Sequence, residues 1–148
     1  TTVAVINPSS GESSRMYPCF EHQTLADILP PATTWRYYAP STGSIWTAPN
    51  AISHICGSTR QGGKCAGTDC TSNVDLTPAG VLRDIAKCNL RSVSWVIPTG
   101  QNSDHANAND GGGPSWVASI VNAIGTSTSS DSNMGYWKNT AIFIVWDD

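Results

Sequence analysis

Val93-Ser94-Trp95-Val96-Ile97, stopped by Pro98, leads through a polar loop (99–113) to Pro114 and a second apolar pattern, Trp116, Val117, Ile120, Val121 and Ile124, before Gly125. A Ser/Thr-rich loop follows, then Trp137 and the run Ala141-Ile142-Phe143-Ile144-Val145-Trp146, which delivers Asp147 and Asp148. The first and last runs are unbroken, rich in β-branched and aromatic residues, and suit strands covered on both faces. The middle pattern repeats at helical spacing, with Pro at its start and Gly at its end. Strand, helix, strand with connections of this length is a βαβ unit, so the two strands are expected to be parallel and the crossover right-handed. The fold class that follows is α/β.

Upstream, Thr77 and Pro78 mark the expected start of a helix whose apolar face is Val81, Leu82, Ile85 and Ala86. Trp35-Arg36-Tyr37-Tyr38 reads as a strand, and Thr24 as the N-cap of a short helix through Leu25, Ile28 and Leu29 that Pro30-Pro31 ends. Residues 1–18 read as an irregular lead-in, and 39–73 as a long loop region with a turn of helix near 51–55. Loops this long in a compact domain are usually functional or stapled. The expected organisation is therefore one partial catalytic domain over 1–148, with a Cys-rich loop region at 39–73 and an αβαβ core segment at 77–148.

Composition excludes several function classes. Charged residues make up 13% of the chain and the net charge is -3, about half the usual charged fraction. Such a surface offers no electrostatic footprint for nucleic acid, and no apolar run is long enough to span a bilayer. Cys56, Cys65 and Cys70 lie in a Gly/Thr-rich segment with little apolar material, where disulfides are the expected restraint. Their spacing lacks the paired Cys-x-x-Cys of zinc knuckles. With Cys19 and Cys88 the count is five, which leaves one thiol over, and the spacing alone does not choose a pairing. An oxidising location, secreted or periplasmic, is the expectation.

Parallel strands present their carboxyl ends on one edge, and ligands of open α/β sheets gather there. That logic puts the loop containing Ser103-Asp104-His105 on the same rim as Asp147 and Asp148. Two carboxylates suit a hard or borderline divalent cation, and an imidazole titrating near neutral pH suits proton transfer or contact with a phosphoryl oxygen. Gly111-Gly112-Gly113 lacks the Lys-Ser/Thr of a P-loop and reads as a flexible lead into the helix. No Ser sits in a Gly-x-Ser-x-Gly elbow.

Five blocks then become recognisable in order: Thr24-Leu25-Ala26-Asp27-Ile28-Leu29 with Thr34-Trp35-Arg36-Tyr37-Tyr38, Ser103-Asp104-His105, Trp116 to Ile124, and Trp137 to Asp148. Together they resemble the bacterial and fungal phosphoesterase family of phospholipase C and acid phosphatase type, in the alkaline-phosphatase-like superfamily. The resemblance implies a mostly parallel sheet flanked by helices and long loops, and hydrolysis of a phosphate ester or phospholipid at a divalent metal centre. By the same resemblance Asp147 and Asp148 are metal ligands, His105 contacts the phosphoryl group, and His54 matches a second phosphate-side histidine. Ala106 stands where the family commonly has Pro. The family's Glu-Asn metal motif, its upstream nucleophile and its Gly-Gly and Asp-His-Val motifs have no counterpart in this sequence. The chain is thus expected to be an inactive piece of a longer enzyme, with the metal's identity and the oligomeric state left open. The rival expectation is a secreted carbohydrate-binding or adhesion module, supported by six tryptophans, low charge and the Cys-rich loop.

Overall fold

A computed structural model describes residues 2–7, 9, 11–58, 66–106, 111–128 and 135–146. The chain divides into two compact units, one of Thr1–Pro78 with Arg91–Thr99, the other of Ala79–Leu90 with Gly100–Asp148.

The first unit is built on a three-stranded parallel sheet of β3 (Trp35–Tyr38), β4 (Val74–Asp75) and β5 (Val93–Val96), in the order β4-β3-β5. With mixed helices and a parallel sheet, the architecture is α/β. The aromatic run of β3 takes the central position, and Tyr38 is fully buried. Trp35 faces Val93 and Tyr38 faces Val96 in register, and Ile97 extends the ladder by donating to the Tyr38 carbonyl at 2.9 Å. Short helices α1 (Leu25–Ile28), α2 (Ser53–Cys56) and α3 (Thr68–Asn73) belong to this unit. Ile52, Ile55, Cys56 and Cys70 form a buried cluster against which Trp35 and Val74 pack. Cys56 and Cys70 are joined by a disulfide with Cα atoms 4.8 Å apart, so the loop region is stapled as expected. Cys65 lies outside the described residues, and Cys19 and Cys88 are free thiols.

One correction falls at the start of the chain. The residues expected to be irregular form an antiparallel hairpin, β1 (Val3–Asn7) with β2 (Gly11–Met16), and Gly11 adopts φ +70°. Glycine enters that left-handed region without a Cβ penalty, which lets the chain reverse.

The second unit pairs α4 (Gly80–Ala86) with α5 (Gly112–Thr126). Val81, Ile85 and Ile124 are its buried apolar residues. Helix α4 begins at Gly80, two residues later than a Thr77 cap with Pro78 at the first position would give, and the Thr77 amide is instead drawn into a turn on Asp75 Oδ1 at 2.9 Å. It ends in a Schellman motif: Cys88 donates to the Ile85 carbonyl at 3.1 Å and Asn89 to the Asp84 carbonyl at 2.8 Å, with Cys88 at φ 53°. Helix α5 runs through Gly125 instead of stopping there, and ends at Ser127, whose hydroxyl donates to Ile124 and accepts from the Tyr136 amide at 2.9 Å.

The second correction concerns the closing run. Residues 141–146 lie in no strand and are exposed, Phe143 at 86% and Val145 at 82%. A strand needs a neighbour to ladder with. The second unit contains no other strand among its described residues, so the expected second β of the αβαβ segment is not formed.

Candidate functional site

Asp147 and Asp148 lie outside the described residues. The shared rim inferred from two flanking parallel strands loses its basis, because only β5 forms. What the structure describes is two separate local settings, one around each candidate histidine.

His105 belongs to the second unit, is exposed, and sits in the loop that folds over the first turn of α5. The Ser103 hydroxyl donates to the Gly100 carbonyl at 2.8 Å and accepts the His105 amide at 3.2 Å, and Asp104 holds φ 55°. Two of the three glycines, Gly112 and Gly113, explain how this loop fits. A Cβ on Gly112 would lie 2.5 Å from Asn102 Oδ1 and 2.8 Å from the Gln101 carbonyl, and one on Gly113 would overlap the Asp104 carboxylate. The glycines therefore allow close approach of chain to helix. A carboxylate beside a helix N-terminus is favoured by the exposed amides and the dipole. The position a phosphate cradle would use is thus already flanked by the chain's own acid.

His54 belongs to the first unit, on α2, and it has two carboxylate neighbours that no sequence pattern signalled. Nδ1 lies 2.5 Å from Glu21 Oε1 and Nε2 lies 3.0 Å from Asp27 Oδ1. Asp27 is placed by the start of α1: its Oδ2 accepts the Thr24 amide at 2.6 Å and the Thr24 hydroxyl at 2.7 Å, the reciprocal half of a capping box. These Thr24 bonds, with His54 beside the other oxygen, hold the Asp27 carboxyl below its usual range. The Glu21 hydrogen bond, reinforced by Asp27 and opposed by partial burial, raises the pKa of His54 above the ordinary imidazole value. Thr24 was legible as a cap. The tie of Asp27 to His54 was not.

Next to this cluster is an apolar cleft of about 300 Å³ within the same unit. Its lining includes Thr24, Leu25 and Ala26 at the start of α1, Pro49, Ile52 and Ile55 in and before α2, and Trp35, Tyr37 and Trp95 of the sheet. The indoles of Trp35 and Trp95 meet edge to face, with centroids 6.1 Å apart.

The expected metal ligands, Asp147 and Asp148, are not among the described residues. Among the described residues no group of three or more His, Cys, Asp or Glu is arranged to hold a cation, and both ring nitrogens of His54 are engaged by carboxylates. Among the described residues no helix is long and apolar enough to cross a membrane.

An α/β framework carrying these histidine settings meets a specific match in sequence. The family described as Phosphoesterase matches residues 13–148. The chain belongs to the Phosphoesterase family, whose members hydrolyse phosphate esters. No curated protein and no solved structure matches it.

Proposed function

We propose that this chain is part of a secreted or periplasmic, metal-dependent phosphoesterase of phospholipase C or acid phosphatase type. The observation that carries the reading is the family match across residues 13–148. In this reading Asp147 and Asp148 are the residues that hold a divalent cation, their oxygen donors suiting Mg, Ca, Mn or Zn. When bound, such a cation supplies charge neutralisation at a phosphoryl oxygen. His105 contacts the phosphoryl group, and its exposure leaves it open to a substrate. His54 acts as a second phosphate-side histidine, a role that requires one of its two carboxylate partners to swing away. The Cys56–Cys70 bond supports the oxidising location, since disulfides persist in such compartments.

The test is Asp147→Asn, made in the protein that carries this chain and assayed with a chromogenic phosphomonoester and with phosphatidylcholine vesicles at saturating divalent cation. Removing one anionic ligand is expected to abolish most turnover. The substrate that is hydrolysed separates the phosphatase from the phospholipase form. Wild-type turnover in the variant would overturn the metal assignment.

A further inference from the structure

Helix α1 is lightly held. None of its four residues is buried, and Leu25 and Ile28 are 52% and 63% exposed. Immediately before it the chain is pinned to α2: Phe20 donates to the Ala51 carbonyl at 2.7 Å, and Ser53 donates to the Phe20 carbonyl at 2.9 Å. Beyond Phe20 the segment meets α2 at the His54 imidazole, with Glu21 on one nitrogen and Asp27 on the other. The same segment and the residues in and before α2 both line the apolar cleft, through Leu25 and Ala26 on one part and Ile52 and Ile55 on the other.

We propose that Glu21, His54 and Asp27 form a proton-operated latch that holds α1 against α2 beside the apolar cleft. The chemistry is set by the imidazole. A protonated ring carries two N–H donors and satisfies both carboxylates, whereas a neutral ring keeps one N–H and turns a lone pair toward the other acid. Loss of the proton therefore breaks one of the two bonds and leaves a carboxylate facing an acceptor. The other groups on the surrounding elements do not substitute for it. His22 contacts the Gln23 carbonyl through Nδ1, and Cys19 Sγ lies against Ser53 Oγ and the Ser58 carbonyl. Asp69, on the α3 helix that packs on α2, makes no ion pair with His54 among the described residues. Because the pKa of His54 is raised by folding, the latch is fully present below the unfolded value of 6.5 and is lost as pH rises through the folded value above it. The inference rests on this geometry and does not require the phosphoesterase reading, which gives His54 a second role.

Hydrogen exchange read by mass spectrometry on peptides covering residues 20–29, between pH 5 and 9 and corrected for intrinsic exchange, tests it. Exposed ion pairs stabilise modestly, so the expected loss of protection above the titration is roughly three- to fivefold. Protection of residues 93–97 serves as the fold control and stays level. His54→Gln is expected to remove the step, Glu21→Gln to reduce it, and His22→Gln to leave it in place. A wild-type profile with no step, a step that survives His54→Gln, or a step removed by His22→Gln would each overturn the latch.

Discussion

Replacing Cys56 and Cys70 together by Ala removes the covalent staple of the first unit without leaving a buried hydroxyl. The two cysteines are 14 residues apart and both are fully buried. Closing a loop of about 15 residues restricts the unfolded chain by roughly 3 kcal/mol on the chain-entropy account. Truncating two buried side chains in a cluster that includes Ile52 and Ile55 adds a smaller packing loss in the same direction. A total near 3 to 4 kcal/mol is a large share of a domain's net stability. With a urea slope of about 2 kcal/mol per molar, the transition is expected to move down by about 1.5 to 2 M. Tryptophan fluorescence is the suitable readout, because Trp35 packs on the disulfide cluster and meets Trp95. Reducing agent should shift the wild-type protein in the same direction and leave the double variant unmoved. A variant whose midpoint matches that of the oxidised wild type would show that the Cys56–Cys70 bond does not hold this unit together.

Two further substitutions probe the second unit. Gly112→Ala improves helix propensity by about 1 kcal/mol, but its Cβ meets the Gln101 carbonyl and Asn102, and overpacking of about 1 to 3 kcal/mol should win. Thermal denaturation is expected to show a net loss there, and a smaller change for Gly113→Ala, whose obstacle is the rotatable Asp104 carboxylate. Cys88→Gly relieves a left-handed residue at φ 53°, a strain of about 1 to 2 kcal/mol. Against this stand the greater unfolded-state freedom of Gly, about 0.5 to 1 kcal/mol, and the weak Cys88 Sγ contact with the Thr128 carbonyl. Chemical denaturation should therefore show a small gain in stability, and a loss would argue that the thiol contact matters more than the backbone.

The parts of this fold that were legible are those where local chemistry and tertiary role agree. Trp35–Tyr38 and Val93–Val96 are β-rich and become paired strands, and Thr24 caps the helix it precedes. The hairpin at Val3–Asn7 and Gly11–Met16 is hidden in the sequence because Gly11-Glu12-Ser13-Ser14 carries no apolar alternation. Strand β4 has two residues, too few for any periodicity. The run 141–146 fails in the opposite sense, since its strand-like composition meets no partner strand among the described residues of its unit. At the candidate site, His54 was visible as a residue type. Its environment depends on partners 33 and 27 positions away in the chain, and no local spacing encodes such contacts. The glycines before α5 suggest flexibility by composition, whereas at Gly112 and Gly113 close approach of the preceding loop is what requires them.

The central claim is phosphate-ester hydrolysis, and the most direct measurement is product release by the wild-type protein that carries this chain, with divalent cation supplied. The account predicts inorganic phosphate from a phosphomonoester or phosphorylcholine from phosphatidylcholine, in amounts well above one equivalent of enzyme. Absence of release from both substrates with each of Mg, Ca, Mn and Zn, accompanied by binding to a glycan array, would contradict it and favour a carbohydrate-binding module.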